Sequence, residues 1–577
     1  MKMKKILSLA LVAVFAVTMF AGCGKSETPK TETGASAEAE TAGETEEGTL
    51  ENISVNIASE PQSIDPALNS AVDGAMMINH MFEGLMKWED SGTEVSGTDG
   101  TATAAQLTYG QAESYEKVVN DDGTVTYTFK LRDDIKWSDG QPVTAGDFEY
   151  AWRRLVTPDT AADYNYMLDC VVNANEIMDG KKDPSELAVS APDDKTFVVT
   201  ITNDLPYFTE LCAFPAMMPV RQDMIEKGKD QWTFDTATYV SNGAYKMKEW
   251  THNSAIVIEK NENYYDIANL GPQTITFKLM DDANAMLSGF NSGELQFIEN
   301  VPQAEITNLI ASGDMKIVDY IGTYYVCFQT QKAPFDNPKV REAFTLAVDR
   351  THIVQNVTQS GQVEANGFVP AGVYDAEGST GDDFRTVGGG YYKETDADYE
   401  ANCEEARELL AEAGYPNGEG FPVVEYLYNT DDAHKAVAEA LQNMWEKELG
   451  VTVTLNNQEW AAFLQTRKDG DYSIARNGWI ADYNDPMSFL DMWITGGGNN
   501  DAQYANADYD ELIQKAKATD DVAERMKYMH EAEDMIIGED YALCPLYFYT
   551  QKYMLADGIK GMYYTPLGYF FFGYTHK

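Results

Sequence analysis

The chain has 577 residues and carries 93 acidic against 42 basic side chains, a net charge of −51. That length exceeds what one hydrophobic core serves, so two or more domains are expected, and a hydrophobic content of 44% suits a globular body. So large an acidic excess repels nucleic acid and anionic lipid headgroups. Solubility accounts for it, whereas a preference for cationic ligands requires the acids to line a cleft.

Met1 to Lys5 holds three lysines, Ile6 to Met19 is almost wholly apolar, and Phe20-Ala21-Gly22-Cys23 ends in small residues before a cysteine. This is the pattern of a secretory signal over residues 1–22, since the apolar run falls short of the roughly 20 residues of a spanning helix. Cys23 in that setting resembles a bacterial lipobox. A mature chain beginning at a lipidated Cys23 would carry two or more acyl chains, enough for firm anchoring, and its net charge would be −54, the three signal lysines being lost. Residues 23–50 are Ser, Thr, Glu, Ala and Gly with few apolar side chains. They read as a flexible linker that lifts the folded body off the membrane.

The first strand is expected over Ile53 to Ala58, where Ile53, Val55 and Ile57 alternate with polar neighbours. After the Asn120-Asp121-Asp122-Gly123 turn, Val125, Tyr127, Phe129 and Leu131 share one strand face. Ala145 to Leu155 predicts a helix, and Phe197, Val199 and Ile201 a further strand after the Pro192-Asp193-Asp194 turn. Gly361 to Tyr392, with Gly388-Gly389-Gly390, and the Gly496-Gly497-Gly498 run are expected to be surface loops. Lys435 to Leu449 places Val437, Ala440, Leu441, Met444, Trp445 and Leu449 on one helical face, Gly450 stops the helix, and Val451, Val453 and Leu455 begin a strand. Strands scattered among helices make an α/β protein, and no repeat of 20 to 50 residues appears.

Cys170, Cys212, Cys327, Cys403 and Cys544 are far apart and odd in number. They suggest neither a disulfide framework nor a zinc site; buried thiols are expected, with one bridge left open. Six scattered histidines, and no H-E-x-x-H, G-x-S-x-G, phosphate-loop or G-x-G-x-x-G pattern, argue against an enzyme. A secreted hydrolase using two carboxylates is the remaining enzymatic alternative. No metal or cofactor is expected.

The most informative segment is Arg476-Asn477-Gly478-Trp479-Ile480-Ala481-Asp482-Tyr483-Asn484-Asp485-Pro486. It sets a cation, an indole and an anion within seven residues, the groups that an enclosed zwitterion requires. Asp482 suits an ammonium, the forked Arg476 a carboxylate, and Trp479 offers apolar area that does not discriminate between side chains. The plainer alternatives are a solvated loop acid at Asp482, a core Trp479, and an Arg476 that pairs with Asp482 or Asp485 as structure.

This segment resembles the ligand-contacting stretch of oligopeptide-binding proteins, the extracytoplasmic receptors of peptide ABC importers (extracellular solute-binding protein family 5). The likeness continues in Glu60-Pro61-Gln62-Ser63-Ile64-Asp65-Pro66 with Phe82-Glu83-Gly84-Leu85, in Tyr127 to Phe148 with Tyr150-Ala151-Trp152-Arg153-Arg154, in Asn242 to Lys246 with Asn263-Tyr264-Tyr265-Asp266, and in Lys332 to Asp336 with Val340 to Phe344. Five blocks in order are more specific than one motif.

The resemblance implies a two-lobed periplasmic-binding-protein-like fold (type II, cluster C) with an extra subdomain and a hinge: lobe 1 at 50–85, 220–325 and 547–577, the subdomain at 86–219, and lobe 2 at 326–546. It implies peptide binding by Asp482, Trp479, Arg476, Gly478, Ala481, Tyr483 and Asn484, with Asp482 on the amino terminus. Tyrosines near the hinge, such as Tyr324 and Tyr325, would line the cleft. It further implies an oligopeptide ligand, ABC permease and ATPase subunits as partners, a monomer, and a lipid-anchored location on the extracytoplasmic face of the bacterial cell membrane. The same scaffold in relatives serves dipeptides, signalling peptides, metal complexes and sugars. Glu60 and Asp65 read as turn or cap residues. Where some relatives place an acid that meets basic peptide side chains, Asn69 and Ser70 stand here, a departure that weakens any claim of preference for lysine-containing peptides.

Overall fold

The computed structural model describes residues 48 and 50–577, apart from 58 and 393–395. The predicted signal, the lipidation of Cys23 and the linker up to residue 47 lie outside the described residues. Among the described residues, no helix is long and apolar enough to cross a membrane.

Eleven strands form the central sheet. Its order is Val453–Gln458, Val424–Asn429, Ile474–Ile480, Lys316–Phe328, Leu543–Leu555, Phe297–Ile298, Asn52–Asn56, Thr274–Lys278, Ala255–Lys260, Tyr245–Thr251, with Val363–Glu364 beside Leu543–Leu555. Lys316–Phe328 and Leu543–Leu555 are 13 residues each and pair antiparallel, joining the two halves of the sheet. Their register shifts between Asp319 and Thr323 and again between Tyr324 and Tyr325. Such bulges bend and twist a strand pair, and here they fall where the two halves meet. A four-stranded sheet of Ala112–Val119, Val125–Leu131, Thr196–Ile201 and Val189–Asp193 and another of Tyr569–Phe571, Tyr563–Thr565, Thr103–Tyr109 and Met86–Glu94 complete the β structure.

Periodicity accounts for these elements. Val125, Tyr127, Phe129 and Leu131 are buried while Thr126, Thr128 and Lys130 are less so. Helix Ala145–Val156 begins with a Thr144/Asp147 capping box and buries Phe148, Ala151, Trp152 and Leu155. Helix Asp432–Leu449 starts three residues before the predicted Lys435, because the Asp431 carboxylate caps it by accepting from the His434 N–H; Gly450, at φ 68°, ends it.

Three expectations are corrected in part. The first strand stops at Asn56, whose side chain donates to the Lys278 and Met280 carbonyls. The strand expected from Val451 begins at Val453. The 361–392 stretch is not merely a surface loop: it contains a strand and a short helix, and Phe368, Val369, Val373 and Phe384 are fully buried. Arg385 from this stretch donates to both carboxylate oxygens of the buried Glu533, at 2.6 and 2.8 Å, a long-range anchor. All five described cysteines are buried, and no disulfide forms among them.

Candidate functional site

A cavity of about 340 Å³ opens beside the pair of long strands. Arg476, Gly478 and Trp479, in strand Ile474–Ile480, and Asp482 just beyond it line one side. Strand alternation does not apply cleanly here, because Gly478 has no side chain: a Cβ would sit 2.4 Å from the Tyr549 hydroxyl, which fills that space.

Asp482 is 8% exposed. The Tyr164 hydroxyl donates to its Oδ1 at 3.1 Å and the Ser488 hydroxyl to its Oδ2 at 3.4 Å, while its own N–H donates to Ser488 Oγ at 2.8 Å. Among the described residues it has no ion-pair partner within 4 Å. Burial pushes its carboxyl well above the usual carboxylate range; the two hydroxyls oppose that rise and nearby Asp491 adds to it. A group in this state gains from a cation that enters the cavity.

Trp479 is pinned by its indole N–H, which donates to the Ser488 carbonyl at 2.7 Å, and its ring lies 6.1 Å from that of Tyr164. The Arg476 guanidinium lies 5.2 Å from the Tyr324 ring centroid and 5.8 Å from that of Trp460, and its Nε has no hydrogen-bond partner. The structural pairing with Asp482 or Asp485 does not occur, because Asp485 is held by both arms of Arg525 at 2.8 and 2.6 Å. Burial and the Arg476 charge together push neighbouring His434 down to about 3, so that imidazole is neutral.

Ala481, Tyr483 and Asn484 are not part of the lining. Tyr483 stacks on Tyr207 at 4.3 Å, and the Asn484 side chain accepts from the Tyr374 N–H and donates to the Gly372 carbonyl, a clamp on the 361–392 stretch. Their neighbourhood was legible from sequence, but their direction was not: beyond the strand Asp482 lines the cavity, while Tyr483 and Asn484 pack against other segments. Glu60 binds His252 and the Asn253 N–H, and Asp65 accepts from Arg154 and Trp232, so both are structural. Of the predicted hinge tyrosines, Tyr324 and Tyr325 are fully buried and outside the lining; Tyr320 and Tyr549 line the cavity instead. Tyr164, Asp73 and Glu299 also line it and carried no local motif. Gly498, from the second glycine run, borders it as well.

The description "Bacterial extracellular solute-binding proteins, family 5 Middle" matches residues 106–501. The chain is 35% identical over 516 residues to the oligopeptide-binding protein OppA of Bacillus subtilis, covering 88% of this chain and 90% of that protein. It is 36% identical over 511 residues to the periplasmic oligopeptide-binding protein OppA of Salmonella typhimurium, with 88% of each covered. Among solved structures, Haemophilus influenzae OppA in complex with RPPGFSPFR matches with a TM-score of 0.82 at 33% identity, over 92% of this chain and 99% of that one. An unliganded open form of the murein tripeptide binding protein MppA matches at 0.57 and 30% identity, over 91% and 96%. The fold is therefore the α/β, two-lobed fold of periplasmic binding proteins, nearer in shape to the peptide complex than to that open form. The chain belongs to the bacterial extracellular solute-binding proteins, family 5.

Proposed function

We propose that this protein is the substrate-binding lipoprotein of an ABC importer, which captures extracellular oligopeptides between two closing lobes and delivers them to a membrane permease and its ATPase. The observation that carries this reading is the Asp482 carboxylate, buried at the cavity wall with two hydroxyls and, among the described residues, no cation. It takes the peptide ammonium, Arg476 takes a carboxylate, and Trp479 walls a side-chain pocket. Main-chain hydrogen bonds supply affinity that is independent of sequence. The names of the relatives, and a peptide complex among the structural neighbours, support the ligand class.

Lobe 1 is assigned to 50–85, 220–325 and 547–577, its subdomain to 86–219 and lobe 2 to 326–546, with the hinge in the two long strands near Tyr325 and Tyr547. A lipidated Cys23 holds the receptor at the extracytoplasmic face of the membrane.

Calorimetry with free and N-acetylated forms of one peptide tests the assignment. Asp482→Asn keeps one oxygen to accept from the Tyr164 hydroxyl, turns an amide donor toward Ser488, and removes the charge. It should weaken binding of the free peptide by about 2 to 5 kcal/mol, and acetylation of the ligand should weaken binding to the unaltered protein similarly. Equal affinity for both peptide forms would refute the role of Asp482. The peptides themselves are best identified by native mass spectrometry of protein lacking residues 1–23, followed by sequencing of what denaturation releases.

A further inference from the structure

Two more carboxylates enter the cavity from elements remote from Asp482. Asp73, in the first turn of helix Val72–Met81, is 9% exposed, and among the described residues neither of its carboxylate oxygens makes a well-aligned hydrogen bond, although the Gly74 N–H and the Trp460 indole lie near enough to favour its ionised form. Glu299 follows strand Phe297–Ile298; among the described residues its buried Oε1 makes no well-aligned hydrogen bond, and the Gln551 side chain only partly offsets the burial of the carboxyl. Both line the cavity. Burial raises Asp73 to about 6 and Glu299 to about 8, and the Asp73 charge adds to the rise at Glu299.

The other acids of the lining, apart from Asp482 and the exposed Asp281, are accounted for. Lys468 holds Asp163, Arg467 holds Asp501 at 2.7 Å, and Asp431 caps its helix. Lys552 reaches Glu299 and Asp431 electrostatically, but neither Glu299 nor Asp73 has a Lys or Arg nitrogen within 4 Å among the described residues. A place in a helix's first turn favours an acid at Asp73; it does not explain why both oxygens are enclosed with only poorly aligned donors, too weak to offset burial. Groups so placed are costly unless a ligand completes them. No cluster of three metal-ligating side chains occurs among the described residues, so an organic cation fits better than a metal ion.

We infer that Asp73 and Glu299 form a second cation site in the cavity, which selects oligopeptides carrying a lysine or arginine side chain. The inference rests on the peptide reading above. It also answers the absence of an acid at Asn69 and Ser70: the charge comes from a later residue of the same segment and from a strand end more than two hundred residues away.

The test is a length series of alanine peptides in which each position in turn carries lysine or its neutral counterpart norleucine, measured by calorimetry against the unaltered protein and Asp73→Asn/Glu299→Gln. At one position lysine should exceed norleucine by about tenfold or more. At pH 7 that lysine peptide should release more protons than its counterpart, because the Glu299 carboxyl ionises beside the ammonium. The double variant should lose both differences, so that lysine and norleucine peptides bind it equally at that position. If alanine peptides bind but lysine gains at no position, or if the double variant keeps the preference, the site is refuted and the peptide reading stands. If no peptide of the series binds, both fall.

Discussion

Gly478 shows how finely the cavity wall is shaped. Its missing Cβ is replaced by the Tyr549 hydroxyl, 2.4 Å from where that carbon would be, whereas the ring carbon bearing the hydroxyl is 3.3 Å away. Gly478→Ala therefore displaces Tyr549, at an overpacking cost of about 1 to 3 kcal/mol, and should weaken peptide binding about tenfold or more. Adding Tyr549→Phe removes the offending oxygen and should restore most of the affinity; failure of that rescue would show that the hydroxyl is not the obstacle. At this scale the sequence was informative in part. Arg476, Gly478, Trp479 and Asp482 were recognisable because their chemistry is concentrated in one segment. Tyr164, Asp73 and Glu299 lie on three separate elements, so no local spacing joins them. Ala481, Tyr483 and Asn484 share the segment but not the wall, because direction beyond a strand end is set by what the turn packs against.

Helix Val522–Glu533 is the element that braces the site from behind. Arg525 holds Asp485, three residues after Asp482, and Glu533 holds Arg385 of the 361–392 stretch while accepting the Phe368 and Val369 N–H groups. Both pairs are nearly solvent-free, with side-chain exposures of 4% and 6% for Arg525 and Asp485. Removing one partner of such a pair strands a buried charge. Asp485→Ala should accordingly lower unfolding stability by about 3 to 5 kcal/mol in urea titration, a far larger effect than an exposed pair gives; a loss below about 1 kcal/mol would mean that water reaches Arg525. Helices such as Ala145–Val156 and Asp432–Leu449 were legible because amphipathic period and capping are local properties. The packed nature of 361–392 was not, since its glycines and acids suggest a loop and its burial depends on Glu533, far along the chain.

Across the whole molecule, two long strands link the halves of the sheet, and their register shifts place the local twist between Asp319 and Tyr325. A receptor that closes on its ligand through such a hinge should contract when bound. Small-angle scattering is expected to show a smaller radius of gyration with saturating peptide than without. An unchanged radius would refute closure as the mode of capture. What the sequence determined by itself was the class: periodic strands and helices, the order of five motif blocks, and one segment bearing a cation, an indole and an anion, all of which are local and survive in a linear reading. Only the tertiary structure decided which charges go unpaired. Asp485 is paired with a cation, whereas Asp482 has only two hydroxyls among the described residues; Asp65 is locked by Arg154, while Asp73, eight residues later, is enclosed without a well-aligned donor. Pairing depends on residues brought together from across the chain, and in a protein with 93 acids no count or spacing reveals which few of them line the cavity.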